Sequence, residues 1–234
     1  SSDKIGKMTK KRGYKNMRIL FFGDSITDMG RSRDFNKSTD IWSYGSGYPM
    51  FVASDLYRID PNKYEVINRG IGGNRVVDLY ARVKADVWNL EPDVLSILIG
   101  INDIWHEISS KNGVDLVRFE KMYRNLIEDT KQVLPNVKIV LCEPFVLEGG
   151  ATENTEEIPD RFDRFLGVRE YAKVVKKLAE EYGLYFLPLQ EKFSEKAEKY
   201  GATPYLYDGV HPMVAGATLI ADEWVKLFKE QIEK

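Results

Sequence analysis

Short apolar segments alternate with amphipathic helical segments along most of this chain. Five of the apolar segments are rich in β-branched or aromatic residues and are bounded by Gly, Pro, Asn or Asp, which predicts buried strands. They are Arg18–Phe22, Tyr64–Asn68, Asp93–Gly100, Val137–Cys142 and Leu184–Leu189. Strands that alternate with helices form a parallel sheet joined by crossover helices, and such a sheet is covered on both faces. The alternation therefore predicts an α/β fold, a three-layer α/β/α sandwich.

Four other stretches carry apolar residues at three- and four-residue steps, the period of one helix face. They cover residues 76–90, 116–133, 165–182 and 214–232. We interpret these stripes as core rather than as binding surface. Because the chain has no internal repeat and no Pro-, Gly- or Ser-rich linker, residues 17–234 are predicted to form a single domain. Residues 1–16 form a polar N-terminal extension to it.

Two long polar segments, Arg31–Tyr48 and Glu148–Phe162, are too irregular for a strand or a helix. Loops of this length in a compact domain are usually functional. In a parallel sheet the functional loops follow the carboxyl ends of the strands, so we expect the site at that edge.

The composition excludes several classes of protein. A balance of 34 Lys and Arg against 36 Asp and Glu gives a net charge of -2, so no nucleic-acid partner is expected. A single cysteine, Cys142, excludes an internal disulfide, and with two histidines the chain lacks the ligands of the usual zinc site. No metal or cofactor is predicted. No apolar run approaches the roughly 18 residues of a membrane helix, and residues 1–16 lack the apolar core of a signal peptide, which predicts a cytoplasmic protein.

Four polar motifs fall where strands end or where the last helix begins. They are Gly23-Asp24-Ser25, Gly70–Asn74, Gly100–Asp103 and Asp208–His211. Taken singly each has an ordinary structural interpretation, since Ser25 alone is a helix cap and glycines alone are turn residues. Other sites are disfavoured: Arg75 stands where a dinucleotide fingerprint has its third glycine, no phosphate-loop motif occurs, and Thr27 replaces the second glycine of a nucleophile elbow.

Together the four motifs supply the parts of an acyl-transfer site. The serine hydroxyl needs a base, and His211 is the better candidate because Asp208 lies three residues before it and can orient the imidazole. His106 has no such partner and is interpreted as a loop or helix residue near the rim of the site, or as a substrate contact. An oxyanion would be stabilised by the Ser25 N–H, a backbone N–H of the glycine turn and the Asn102 amide.

These motifs, in this order across residues 23–211, resemble the SGNH hydrolases, the GDSL-type esterases and lipases. The resemblance implies that Ser25 is the nucleophile, His211 the general base and Asp208 its orienting group. It further implies that Ser25, Gly73 and Asn102 form the oxyanion hole, with Gly73 chosen over Gly72 because it lies five residues after Asn68. The implied fold is flavodoxin-like, with five parallel strands.

Longer strings resemble the intracellular acetylxylan esterases of that superfamily. They are Gly23–Arg31, Gly45–Tyr48, Ile99–Trp105 and Pro144–Gly149, with departures at Met29, Arg75 and the more acidic loop Ala151–Asp160. The resemblance implies removal of acetyl groups from acetylated xylo-oligosaccharides, without a cofactor, by a homo-oligomer. Two alternatives stay open: a lysophospholipase or thioesterase acting on longer acyl chains, and a catalytically silent carbohydrate-binding protein.

The segments expected around the site contain aromatic residues and no continuous apolar lid. Trp105, directly after the Asn102 motif, and Tyr48 are predicted to contact substrate, together with Arg31. Trp42 and Tyr44 are equally well explained by packing or by substrate contact. Flat aromatic faces suit sugar rings, whereas a long acyl chain needs an apolar shelter. Arg31 and Asp103 could also orient the site through hydrogen bonds or serve as surface and capping residues.

Overall fold

A computed structural model describes residues 16–34 and 39–234. Within them a single sheet has five strands in the order β2-β1-β3-β4-β5, and every pair of neighbours is parallel. The strands are β1 Met17–Gly23, β2 Tyr64–Asn68, β3 Val94–Leu98, β4 Lys138–Cys142 and β5 Tyr185–Leu187. This is the flavodoxin-like strand order. The predicted five-stranded parallel sheet is confirmed.

Helices connect the strands. They are α1 Ser25–Asp28, α2 Tyr48–Ile59, α3 Val76–Asp86, α4 Ile101–Ser110, α5 Leu116–Val133, α6 Arg161–Phe165, α7 Val168–Tyr182, α8 Gln190–Tyr200 and α9 Val214–Leu227. A π-helical turn, Phe228–Ile232, extends α9. None of the helices among the described residues is long and apolar enough to cross a membrane.

The helices cover both faces of the sheet. Successive residues of a strand point to opposite faces. The Phe21 ring contacts Tyr48 in α2 and Trp224 in α9, whereas the Phe22 ring lies against the guanidinium of Arg82 in α3. One layer therefore contains α2 and α9, and the other contains α3. The predicted three-layer sandwich is confirmed.

The register of the strands sets the position of the site. Gly23 at the end of β1 pairs with Leu98 at the end of β3, and Phe21 pairs with Asn68 at the end of β2. The turns that follow these three strands therefore start at neighbouring points on one edge of the sheet.

Five helices, α1, α2, α4, α6 and α8, were not predicted from the apolar periodicity. The expectation that the stripes are core throughout is wrong at two positions, since Val133 is 48% and Val214 66% exposed. Val133 ends α5 and Val214 begins α9, where a helix emerges from the layer. Of the predicted N-terminal extension, residues 1–15 lie outside the described residues.

Candidate active site

The turn after β1 presents Ser25 at the edge of the sheet. Asp24 caps the short helix α1, and its Oδ1 accepts a hydrogen bond from the Ile26 N–H at 2.9 Å. The turn is closely packed, because a Cβ on Gly23 would lie 2.6 Å from the carbonyl oxygen of Leu98 on the neighbouring strand. Glycine at this position lets β1 end against β3 while Ser25 begins the helix.

The turn Asp208–His211 lies between two residues joined by an isolated β-bridge, Leu206 and Pro212. Oδ1 of Asp208 accepts hydrogen bonds from the N–H groups of Val210 at 2.9 Å and His211 at 2.7 Å. Backbone N–H groups of its own turn therefore hold the Asp208 carboxylate in place, independently of its contact with the imidazole.

The loop 147–152 braces this turn. The Leu147 N–H donates to Gly209 O and the Ala151 N–H to Asp208 O, both at 2.9 Å. Gly209 has φ +93°, and a Cβ there would lie 2.4 Å from the Leu147 carbonyl oxygen. Part of the segment predicted to be a functional loop, Glu148–Phe162, thus supports the histidine turn.

Ser25, His211 and Asp208 meet in one hydrogen-bonded chain. Ser25 Oγ lies 2.7 Å from His211 Nε2, and His211 Nδ1 lies 2.7 Å from Asp208 Oδ2. An ionised carboxylate can only accept, so Nδ1 of the neutral imidazole carries the proton. Nε2 is then free to accept the Ser25 hydroxyl proton, the arrangement that a general base requires.

The surroundings of the triad Ser25, His211 and Asp208 raise the pKa of the histidine and lower the pKa of the aspartate. The hydrogen bond that His211 donates to Asp208 raises the pKa of His211 above its ordinary value, against the opposing effect of burial. Burial of the Asp208 carboxyl favours its neutral form, but the hydrogen bonds from His211 and Val210 outweigh burial and lower the pKa of Asp208. At neutral pH Asp208 is therefore ionised and able to stabilise a protonated imidazole.

The glycine turn after β2 lies beside the serine. A Cβ on Gly72 would be 3.8 Å from the Ser25 Cβ. The N–H of Gly72 donates to Asp28 Oδ2 at 2.9 Å, whereas the N–H of Gly73 makes no hydrogen bond within the described part of the chain. Of the two adjacent glycines, Gly73 is the one whose N–H can serve an incoming oxygen.

Asn102 reaches the same turn from the start of α4. Its Nδ2 donates to the carbonyl oxygen of Asn74 at 3.1 Å, which leaves its second amide hydrogen for another acceptor. Ser25, Gly73 and Asn102, the three predicted oxyanion donors, therefore belong to turns that contact one another. The arrangement can perform acyl transfer: a nucleophile, a base with its orienting carboxylate, and donors for a developing negative charge.

Arg82 on α3 supports the turns that carry the oxyanion donors, and the sequence analysis did not identify it. Its guanidinium donates to Gly23 O at 3.1 Å, Arg69 O at 2.7 Å and Asn74 Oδ1 at 2.7 Å, and pairs with Asp86 Oδ2 at 2.8 Å. One side chain thus links the turn before Ser25 to the glycine turn. Its sequence context gives no sign of this role, because Asp78 and Asp86 stand four positions before and after it and suggest an ordinary charged helix face.

Two further carboxyl groups are buried beside the site. Asp24 is 1% and Asp103 0% exposed, and Oδ2 of each makes no hydrogen bond within the described residues. Burial raises the pKa of Asp24 to about 7 and raises that of Asp103 well above its ordinary value. Oδ1 of Asp103 accepts from the Val76 N–H at the start of α3. Asp103 therefore anchors the helix that follows the glycine turn.

The GDSL-like Lipase/Acylhydrolase family matches residues 21–219 of this sequence. The matched region includes all the turns that meet at the site. The chain belongs to this family. The GDSL-like protein is accordingly a hydrolase of carboxylic esters, and its recognition from four short motifs is confirmed.

Relatives of this GDSL-like protein share most of its length. An acetylxylan esterase from Geobacillus stearothermophilus is 34% identical over 214 residues, covering 89% of this chain and 92% of that protein. A crystal structure of an acetylxylan esterase from that organism matches with a TM-score of 0.77 at 35% identity, covering 91% and 94% of the two chains. A structure described as a GDSL-like lipase from Parabacteroides merdae matches with a TM-score of 0.81 at 39% identity, covering 91% and 95%.

Further structures of the Geobacillus enzyme are of catalytic mutants. In them a serine, an aspartate or a histidine is replaced by alanine, and the aspartate and histidine are three positions apart. Asp208 and His211 of the GDSL-like protein have the same spacing.

Of the three predicted substrate contacts, one lies beside the site and two are buried. Trp105 lies beside the site, its ring centroid 6.0 Å from that of His211. The prediction for Tyr48 is wrong, because the residue is 0% exposed and its hydroxyl hydrogen-bonds Thr27 Oγ1 at 2.7 Å within the core. The prediction for Arg31 as a substrate contact is also wrong: it is 5% exposed, and its Nε donates to Gly70 O at 2.7 Å. The hydrogen bond instead supports the alternative that Arg31 orients the glycine turn.

The remaining aromatic candidates separate by exposure. Tyr44 is buried, and its hydroxyl bonds to Thr39 O and Tyr57, so it packs. Trp42 is 73% exposed. His106 makes no ring contact or side-chain hydrogen bond within the described residues and is not part of the chain formed by Ser25, His211 and Asp208.

Proposed function

We propose that this protein is a serine esterase that removes acetyl groups from carbohydrate, with acetylated xylo-oligosaccharides as the substrate class. Ser25 is the nucleophile, His211 the general base and Asp208 the group that orients it. The observation that carries the proposal is the chain of two 2.7 Å contacts from Ser25 Oγ through the imidazole to Asp208. The acetylxylan esterase relative at 34% identity supports the substrate class.

The reaction proceeds in two acyl transfers. Ser25 Oγ attacks the acetyl carbonyl carbon while its proton passes to His211 Nε2. The carbonyl oxygen becomes an oxyanion that accepts hydrogen bonds from the Ser25 N–H, the Gly73 N–H and Asn102 Nδ2. The tetrahedral intermediate collapses, the sugar oxygen leaves with the proton from Nε2, and acetyl-Ser25 remains. Water then attacks this ester and gives a proton to His211 Nε2. As the bond between the acetyl carbon and Ser25 Oγ breaks, Nε2 returns the proton to Oγ, and acetate and free Ser25 are released.

The test is acetate release from acetylated xylo-oligosaccharides by the wild type and by Ser25→Ala. We expect the variant to lose at least about 10³-fold in kcat, because the remaining groups can bind the substrate but cannot form the acyl-enzyme. Undiminished hydrolysis by Ser25→Ala would refute the assignment. A fluorophosphonate should add its mass to the wild type and not to the variant, which distinguishes an esterase from a silent carbohydrate-binding protein.

Acyl-chain length separates the two enzyme hypotheses. We expect p-nitrophenyl acetate to be hydrolysed faster than p-nitrophenyl decanoate. A preference for the decanoate would favour a lysophospholipase or thioesterase instead.

The proposal extends to the organisation of the protein. We expect residues 17–234 to act as one domain, to self-associate, and to work in the cytoplasm. The exposed side chains of Ile41 and Trp42, 63% and 73% accessible, support self-association because they lie next to each other on the surface. Analytical ultracentrifugation tests the oligomer, limited proteolysis the domain and cell fractionation the location.

A further inference from the structure

Two aromatic rings lie against the imidazole of His211, each with its centroid 6.0 Å away. Trp105 is tilted by 53° and is partly enclosed, since its ring also packs edge-on against Phe165 at 5.6 Å. Tyr207 is stacked at 22° and is 51% exposed. Tyr207 therefore combines contact with the imidazole and a large surface open to solvent.

The position of Tyr207 relative to His211 is fixed by the backbone. The Tyr207 N–H donates to His211 O at 3.2 Å, and the flanking residues Leu206 and Pro212 form a β-bridge. Ordering an exposed ring costs side-chain entropy on binding, and a ring already held by its neighbours loses less. Tyr207 is thus a preorganised surface next to the reacting atoms.

The proposed chemistry places the sugar close to this ring. The oxygen that leaves with the proton must come within hydrogen-bond distance of His211 Nε2, about 3 Å. The sugar ring that carries that oxygen then lies against whatever borders the imidazole. Pyranose rings have faces made of C–H groups, and such a face gains by covering an exposed aromatic surface.

We propose that Tyr207 is the stacking platform for the pyranose ring that carries the scissile acetyl group. This inference rests on the proposed function and assigns a specificity residue to the same site. It predicts that Tyr207 contributes to ring-bearing esters and not to simple alkyl acetates, because an alkyl group has no ring face to cover the platform.

The experiment compares xylose tetraacetate with ethyl acetate for the wild type, Tyr207→Ala and Tyr207→Phe. We expect Tyr207→Ala to lose about tenfold in kcat/KM on xylose tetraacetate, mainly through KM, and less than about twofold on ethyl acetate. Tyr207→Phe keeps the ring and should keep most of the activity. Tyr200→Ala is the matched control, since Tyr200 is 52% exposed and its ring centroid lies 6.3 Å from that of Tyr205.

Three results would overturn the platform. Equal losses on both esters, with an unchanged elution volume, would mean that Tyr207 acts only through His211. Unchanged kinetics on xylose tetraacetate would mean that the sugar does not touch the ring. A changed elution volume for Tyr207→Ala, with equal losses, would assign the ring to a contact between copies of the chain, which nearby Met213 and Val214, 48% and 66% exposed, could extend.

A binding measurement separates this inference from the proposed function. Xylotriose is titrated calorimetrically into Ser25→Ala and into the double variant Ser25→Ala, Tyr207→Ala. The platform predicts binding that is lost with the ring. If the wild type cleaves ethyl acetate but no sugar acetate, the proposed function fails and the platform fails with it. If the wild type cleaves sugar acetates and xylotriose binding does not depend on the ring, the platform fails and the proposed function stands. Equal binding, or none to either variant, overturns the platform.

Discussion

The turn Asp208–His211, the turn after β1 at Asp24 and the first turn of α4 at Asp103 each bring a carboxyl group to the same edge of the sheet. Asp208 accepts three hydrogen bonds, from two backbone N–H groups and from the imidazole, and its pKa is lowered. Asp24 and Asp103 each accept one backbone N–H, have a second oxygen without a partner among the described residues, and have raised pKa values.

This difference separates two uses of the same side chain. A carboxylate that must stabilise a protonated imidazole has to be ionised, so the turn surrounds Asp208 with donors. A carboxyl group that only holds a backbone N–H can be neutral, and full burial makes the neutral form the favoured one. Asp208 is thus prepared for catalysis, whereas Asp24 and Asp103 anchor the turns on which the catalytic groups stand.

Asp208→Asn is expected to have the largest effect. An amide at this position removes the charge and no longer enforces the tautomer with a proton on Nδ1, so kcat should fall about 10³- to 10⁴-fold in acetate release assays. Asp103→Asn, measured in the same assay, should stay within about tenfold of wild type because it keeps a carbonyl acceptor. Similar losses in the two variants would contradict the division between charged and neutral carboxyls.

Asp103→Ala tests the anchoring role directly. Without Oδ1 the Val76 N–H loses its partner, α3 loses its fixed start, and the glycine turn before it shifts. We expect kcat to fall about 10- to 100-fold with little change in KM, since a small displacement of an oxyanion donor acts on the transition state. Thermal melting monitors folding. If Asp103→Asn is as impaired as Asp103→Ala, the negative charge of Asp103 is required after all.

The strands could be predicted because a parallel sheet is covered by helices on both faces, so that each strand is a continuous apolar run. The predicted run Tyr64–Asn68, for example, coincides with β2. The helix α2 was missed because its first turn continues a polar, glycine-rich segment, with Pro49 in the first turn. Local pattern alone could not show that this segment packs on α9.

The site was predictable only where short motifs carry the chemistry. Ser25, Asp208 and His211 were found because their roles demand particular residue types at particular spacings. Tyr48 was misjudged because the partner that buries its hydroxyl, Thr27, lies 21 positions away in the chain. Arg82 was missed for the same reason, because its contact with Gly23 spans 59 positions of the chain. Tyr207 lies only four positions before His211, but spacing alone does not show that this turn stacks the two rings.

The acid side of the pH–rate profile depends on the hydrogen bond between His211 and Asp208. The hydrogen bond to Asp208 raises the pKa of His211 above its ordinary value of 6.5. As the pH is lowered and the imidazole is protonated, kcat/KM should fall, and the midpoint of this fall should lie above pH 6.5. In the residual activity of Asp208→Asn this decline should move toward lower pH, because the amide no longer stabilises the protonated imidazole. Asp24 also titrates near neutrality, at about 7. An Asp24→Asn variant that lost the decline would assign it to Asp24 instead of His211.

Asp24→Asn should have the smallest effect on catalysis and a measurable effect on stability. The amide oxygen can still accept from the Ile26 N–H, so activity at pH 8 should stay within a few fold of wild type. With a pKa of about 7 when folded and 3.8 as the ordinary value, Asp24 keeps its proton in the folded state over a range where the unfolded chain has lost it. The wild-type contribution to folding therefore decreases as the pH rises through this range and levels off above it.

The variant lacks this titration, so its stability relative to wild type should increase with pH. We expect a gain of about 2–3 kcal/mol in the free energy of unfolding between pH 5 and pH 8, read as the difference between variant and wild type in urea titrations. Taking the difference removes the contribution of Asp103, which titrates in both proteins. The buried amide hydrogens of the variant lack an acceptor, which lowers its stability by a similar amount at every pH. A difference that does not change with pH would show that Asp24 is already ionised in the folded protein.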